Sequence, residues 1–394
     1  MTRATEQEGR KHKIKPETTL GGVDLSFAGV PEFKRTKHVH RLHPYLGKFI
    51  PQLVELFLKT YFKKGDWILD PFAGSGTTLV EANILGINSV GIEISEFNCL
   101  ITNVKIREYD LEEVEKEIRD ILYKTRKFSR WLREKQTSFG DSGFHKYVSD
   151  SEYLLEWLAT RSLQEILFYR SQISNYKHQD ILKIILSRAT RSARLITHYD
   201  LARPKKPVYE TYWCIKHRRY CEPVQECLKF INRYSWDTIR RLREFAALRT
   251  DATMDIIRGD SRQVQLERKF DGIFTSPPYV GLIDYHDQHR YAYELFPFED
   301  NGKKEIGPAS RGRGYEAKRQ YQKDILAVFK EIATSLKRGA KIFIVVNDRD
   351  NLYADIAEAC DFKLQKIYHR PVLKRTERDN VRFSESIYYY KLRA

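Results

Sequence analysis

An α/β fold, built on a parallel sheet of about seven strands and interrupted by a large, mainly helical insertion, is what the hydrophobic pattern of this chain predicts. Three observations carry that reading. Short apolar runs alternate with stretches of helical period at both ends of the sequence, as expected for strands covered by helices on both faces. A glycine turn, Gly74-Ser75-Gly76, joins the first apolar run to a helix, and the next run ends in an acid, Glu93. Between about Lys105 and Arg249 the strand pattern stops, and long basic segments studded with aromatic residues take over.

The length of 394 residues fits one large domain with an insertion, or two domains. No run of eighteen apolar residues occurs, and the first ten residues are charged where a secretion signal would be apolar, so a soluble, cytoplasmic protein with no membrane partner is expected. Five cysteines, odd in number and scattered, argue against a disulfide framework. The net charge is +16, and between Ser151 and Thr250 there are 19 Lys and Arg against 10 Asp and Glu. Positive charge concentrated in this way predicts a polyanionic partner, nucleic acid. The oligomeric state is not legible.

In chain order, residues 1–30 carry mixed charge and a Gly21-Gly22 pair, and read as a flexible arm. Residues 31–105 and 250–394 form the α/β domain, and 106–249 the basic insertion. The stretch from His43 to Phe49 leads into a helix through Leu58, with Pro51 in its first turn. His38, His40 and His43 lack a matching carboxylate cluster, so no metal is expected there. A strand ends at Asp70, a helix runs from Leu79 to Leu85, and a second strand ends at Glu93. Helices follow over Leu111 to Lys135, Leu154 to Tyr169, Asp180 to Arg194 and Cys227 to Leu248, with Trp131, Trp157 and Trp236 expected in the insertion's own core. Arg191, Arg194, Arg203, Lys205 and Lys206 are the expected phosphate contacts. Cys214, His217, Cys221 and Cys227 are ligand types for zinc, but their spacing fits loosely and plain thiols are the preferred reading. Strands resume before Asp260 and over Phe270 to Phe274, the latter running into Thr275-Ser276-Pro277-Pro278-Tyr279. A Gly/Arg-rich loop from Ile306 to Tyr315, with Arg311 and Arg313, is expected to fold over nucleic acid. A helix to Leu336, a strand over Ala340 to Asn347, a short helix and two terminal strands complete the sheet.

The glycine turn does not suit a dinucleotide. That ligand needs a third small residue, whereas Leu79 is bulky, and Asp70 at the start of the turn repels phosphate but attracts an ammonium. An adenosine carrying a cationic amino acid, S-adenosylmethionine, fits better. Glu93 would then accept from the ribose hydroxyls, with Asp70 or the adjoining backbone holding the amino group. In Ser276 to Tyr279, two prolines force an extended backbone beside a hydroxyl and a stacking ring, which makes a clamp for a flat polar group.

Taken together, His43-Pro44-Tyr45, Asp70-Pro71-Phe72-Ala73-Gly74-Ser75-Gly76-Thr77 and Thr275-Ser276-Pro277-Pro278-Tyr279 resemble the motifs of the amino-group DNA methyltransferases, in the branch that makes N4-methylcytosine. The resemblance implies a Rossmann-like class I methyltransferase sheet. It implies cofactor binding by His43, Pro44, Tyr45, Lys48, Phe49, Asp70, Pro71, Phe72, Gly74, Gly76, Thr77, Glu93 and Asp260, and catalysis by Ser276, Pro277, Pro278 and Tyr279. The implied activity is site-specific methylation of cytosine N4 in DNA, with the insertion as target-recognition domain and a cognate restriction endonuclease acting separately. An RNA cytidine-N4 methyltransferase and a non-catalytic nucleic-acid-binding protein are the alternatives. The N6-adenine branch usually has Asp or Asn where Ser276 stands. The motif order departs from many Ser-Pro-Pro-Tyr enzymes, whose catalytic motif precedes the glycine turn.

Overall fold

The computed structural model describes residues 16–45, 47, 49–136, 147–198, 200, 204–372 and 383–393. The apolar runs become strands β1 (Trp67–Asp70), β2 (Asn88–Glu93), β3 (Met254–Arg258), β4 (Phe270–Thr275), β5 (Leu336–Val346), β6 (Phe362–Val372) and β7 (Phe383–Leu392). They form one seven-stranded sheet in the order β6-β7-β5-β4-β1-β2-β3. Strand β7 runs antiparallel to β5 and β6, and every other pairing is parallel. From β1 the chain winds outward through β2 and β3, then returns to the opposite side of β1 as β4. Winding reverses between β1 and β4, and a crevice opens at the carboxyl ends of such strands. Pairing of Leu69 with Ile273 sets the register that places Asp70 near Thr275 at the crevice floor.

Helix α1 (Pro51–Tyr61) starts with its proline at the first helical position, where no N–H is needed. Helices α2 (Thr77–Ile84) and α3 (Glu96–Ile106) follow β1 and β2, and the Ser95 hydroxyl caps α3 by accepting from Asn98 N–H at 3.2 Å. The basic stretch supplies α4 (Leu111–Gln136), α5 (Glu152–Trp157), α6 (Thr160–Gln172), α7 (Gln179–Ala193) and α8 (Leu228–Ala246). After β4 come the short α9 (Tyr285–Gln288) and α10 (Arg290–Leu295), then α11 (Tyr315–Ala333) and α12 (Leu352–Ala359). None of the described helices is long and apolar enough to cross a membrane.

Alternate strand residues face opposite layers. Ile68, Phe274, Phe343 and Val345 pack with α1, while Leu69, Ile273, Ile342 and Ile344 pack with α11 and α12. A third apolar cluster joins Leu79, Val80, Phe97 and Val104 of α2 and α3 to Ile118, Ile166, Ile184, Ile185, Ile231 and Leu242 of the basic helices. The insertion thus shares its core with the α/β layers.

Several expectations change. Residues 16–30 are bound to the sheet: Leu25 is buried, Glu17 N–H donates to Ile367 O at 2.9 Å, and Thr19–Leu20 pairs with Val23–Asp24. Residues 1–15 lie outside the described residues. The single helix expected over Leu154 to Tyr169 is two, because Leu158 turns extended to pair with Arg194. Trp157 is buried, but Trp131 and Trp236 are 38% and 39% exposed, and the Arg119 guanidinium lies 4.6 Å over the Trp236 ring. A small hairpin, Tyr212–Cys214 with Arg219–Cys221, stands where no strands were expected.

Candidate functional site

The carboxyl ends of β1, β2, β3 and β4 enclose a cleft with about 860 Å³ of empty space, part of it open to solvent. One wall is the glycine turn. Gly74 takes φ +52°, and a Cβ there would stand 3.0 Å from the Tyr45 hydroxyl. Gly76 takes φ +73°, and a Cβ there would meet the Thr102 methyl at 2.7 Å, so α2 approaches α3 because this position is glycine. Two residues of α3 hold the turn from behind: Thr102 donates to Gly74 O at 3.1 Å, and the buried Lys105 ammonium donates to Ser75 O. Beside it stand Glu93 and Ser95 from the tip of β2, and Asp260 and Ser261 after β3 with Ser276 and Pro278 after β4 complete the lining. Tyr45, Gly47 and Phe49 close one end, and Tyr285 and Lys304 to Ile306 form the rim.

Burial pushes the Glu93 carboxyl up to about 7, against donors from Ser95 N–H at 2.8 Å, Asn98 Nδ2 at 3.3 Å and Gly74 N–H at 2.9 Å. A carboxylate offers about four lone-pair positions, so the three donors leave one for a ligand hydroxyl. Ser75 Oγ and Asn98 Oδ1 line the same cleft, buried and without a hydrogen-bond partner. Burial opposes ionisation of Asp260 too, but the Arg262 guanidinium, at 2.6 to 3.1 Å, holds its carboxyl below the usual range. Arg262 reaches on to Asp324 at 2.9 Å.

Asp70 stands behind the wall. Burial raises its carboxyl to about 6, and its Oδ1 accepts from the Thr275 hydroxyl at 2.6 Å and from Phe72 N–H at 3.1 Å. It ties the glycine turn to the base of the Ser-Pro-Pro-Tyr segment. In that segment Tyr321 donates to Pro278 O at 2.8 Å, and the Tyr279 hydroxyl donates to Glu385 at 3.0 Å. Glu385 is itself buried in an ion pair with Arg370 at 2.6 Å.

Of the expected cofactor residues, the structure places Tyr45, Phe49, Pro71, Phe72, Gly74, Thr77, Glu93 and Asp260 around one cleft, together with Ser276 and Pro278. His43 is buried edge-on to Phe97, with its Nδ1 2.9 Å from Pro44 O, away from the cleft wall; Asp70 and Gly76 serve the frame. Pro277 is buried, and neither Pro44 nor Tyr279, both half-buried, is among the residues that line the cleft. Lys48 and Arg203 lie outside the described residues. Lys205, Lys206, Arg311 and Arg313 are exposed. Arg194 is not: it is buried over the Tyr291 and Trp157 rings at 5.2 and 5.9 Å, because the extended segment after α7 turns it inward, and Arg191 is half-buried beside it. Sequence reasoning missed Ser95, Asn98, Ser261, Tyr285, Glu305 and Glu385. A Ser-x-x-Asn capping pattern pointed to the first two, and nothing local marked the others.

The expected thiol set also changes. Cys214, His217 and Cys221 come together with His198 instead of Cys227, which precedes α8 and donates its N–H to Glu165 at 2.7 Å. His38 and His40 do gather about a carboxylate, Glu81, but the Lys37 ammonium already occupies it at 2.8 Å.

Comparison with known proteins bears on this geometry. Residues 6–104 match the model of a family described as DNA methylase, with amino-group specificity in its name. The chain is 41% identical over 441 aligned positions to the type II methyltransferase M.MjaII of Methanocaldococcus jannaschii, covering 94% of this chain and 83% of the relative. It is 26% identical to the type II methyltransferase M.BsoBI of Geobacillus stearothermophilus, over 66% of this chain and about half (53%) of that protein. Among solved structures, an rRNA methyltransferase of Streptomyces viridochromogenes aligns with 10% identity and a TM-score of 0.35 over 89% of each chain. The strand order and the single antiparallel strand are those of the Rossmann-like class I sheet. The chain belongs to the amino-group DNA methyltransferases, with S-adenosylmethionine as its methyl donor.

Proposed function

We propose that the protein methylates the exocyclic N4 amine of cytosine at specific sites in DNA, as the protective half of a restriction-modification pair whose endonuclease acts separately. The observation that carries this reading is a serine, Ser276, at the tip of β4, lining the same cleft as the glycine turn. That position resembles the N4-cytosine branch, where the adenine branch usually has an acid or amide. Relatives named type II methyltransferases support DNA as the polymer.

The cytosine amine is a weak nucleophile because its lone pair is delocalised into the ring. Accepting its two N–H hydrogens on Ser276 Oγ and Pro277 O draws the nitrogen toward tetrahedral geometry and frees that pair. Tyr279, held by its hydroxyl to Glu385, stacks on the base and fixes the line of attack. When bound, the cofactor supplies an electrophilic methyl on a sulfonium. The amine held by Ser276 and Pro277 would displace the sulfur from that methyl directly, and its surplus proton would pass to solvent water. Positioning supplies most of the rate, and no covalent enzyme intermediate is needed. None of the five cysteines follows a proline, so the Pro-Cys nucleophile of ring-carbon methylation is missing. A paired cytosine must leave the stack to reach the cleft.

The test is methyl transfer from labelled cofactor to duplex DNA and to RNA, followed by digestion to nucleosides and mass spectrometry. N4-methylcytosine in DNA is expected. N6-methyladenine would overturn the base assignment, label in RNA alone would overturn the polymer, and no label would favour a non-catalytic binder.

A further inference from the structure

The segment between α7 and α8 presents a construction problem. None of its described residues from 195 to 223 belongs to any of the three apolar clusters. Its hairpin turns the wrong residues outward: Trp213 and Tyr220, paired across the strands, are 53% and 71% exposed, while Cys214 and Cys221 on the other face are buried. A hairpin with three residues per strand and no apolar interior is not stable by itself.

The buried face holds something other than a core. Cys214 Sγ lies 3.6 Å from His198 Nδ1 and 3.6 Å from His217 Nδ1, and Cys221 Sγ lies 3.5 Å from His217 Nδ1. The four ligand atoms all lie within 4.8 Å of one another. Sulfur and nitrogen ligands at their usual distances of about 2.3 and about 2.0 Å from a tetrahedral zinc stand about 3.5 Å apart. The three sulfur–nitrogen edges, at 3.5 and 3.6 Å, match.

We propose that His198, Cys214, His217 and Cys221 bind one structural zinc ion that fastens the hairpin to the segment leaving α7. All four protein ligands are present, which is the closed set of a structural site. Two thiolates and two neutral imidazoles cancel the charge of a divalent ion. The Tyr212 hydroxyl competes at 2.8 Å for His198 Nδ1, and the ion takes that nitrogen from it. The ion closes the loop that carries Lys205 and Lys206, and so sets where those cations stand. The pattern hides from a search along the chain because Cys227, the obvious fourth ligand, stands outside the set and His198 lies sixteen residues before Cys214.

Metal content of the purified full-length chain, by inductively coupled plasma mass spectrometry, tests this. About one equivalent of zinc per chain is expected, and replacement by cobalt(II) should give the charge-transfer absorption of thiolate ligation and the intense visible bands of a tetrahedral site. Cys214→Ser and Cys221→Ser should each reduce the zinc content at least about tenfold, whereas Cys227→Ser should keep it. Where a variant fails to fold, titrating zinc released from the wild-type chain by a thiol-modifying reagent gives the same answer. A chain that holds no zinc and takes up no cobalt overturns the proposal, as does a Cys214–Cys221 disulfide in the intact mass or equal loss of metal in Cys227→Ser.

Discussion

The Glu93 carboxyl, raised to about 7 by burial, is half protonated near neutral pH in the cofactor-free chain. Its folded value lies above the 4.5 of an exposed glutamate, so the stability linked to it is complete below about pH 4.5 and is lost as pH rises through about 7. A ribose hydroxyl donating to Glu93 favours the ionised form, so cofactor binding below about pH 7 should expel a proton. Calorimetric Kd values should therefore tighten from pH 6 to pH 8 in the wild type and stay flat in Glu93→Gln; a parallel dependence in both would remove Glu93 from the ribose site. Ser276→Ala should lower kcat on the order of a hundredfold with cofactor Kd unchanged, as for loss of one transition-state hydrogen bond. Asp70→Ala should impair both, because it releases Phe72 N–H on the cofactor side and Thr275 on the clamp side. Equal turnover in Ser276→Ala would show that the clamp is misassigned. The placement of Glu93 and Ser276 at strand tips was legible because each closes a short apolar run. Whether Asp70 faced the cleft or the next strand was not, since the β1–β4 register decides it.

Among the elements, α2 depends on a single residue. Gly76 is both left-handed and within touching distance of Thr102, so Gly76→Ala should cost about 1–3 kcal/mol of stability and push α2 away from α3. Thermal melting would report the loss, and Gly76→Ala with Thr102→Ser should recover part of it by removing the obstructing methyl. An undiminished melting temperature in the single variant would mean that the turn relaxes freely. The strands and long helices of this chain were legible from period alone. The small hairpin was not, because its alternation places thiols inside and aromatics outside, the reverse of a buried strand. Neither was the anchoring of Tyr279, since Glu385 is 106 residues away and meets it only through the antiparallel placement of β7.

Across the whole molecule, charge and burial separate residues that composition alone groups together. Lys205 and Lys206 are exposed, so their joint replacement by alanine should reduce the salt slope of DNA binding by about two and leave folding intact. Arg194 is buried, so Arg194→Ala should lower the melting temperature instead and leave that slope almost unchanged once folded protein is selected. Filter binding across a salt series, beside calorimetric melting, distinguishes the two; a slope change in Arg194→Ala equal to that of the lysines would contradict its placement. The basic helices and the methyl-transfer layers meet in one apolar cluster that runs from Leu79 and Phe97 to Ile184 and Leu242. Were these helices to read the target sequence, exchanging them as a block would bare that seam on both sides, so a new specificity would come at less cost from substitutions on their surface.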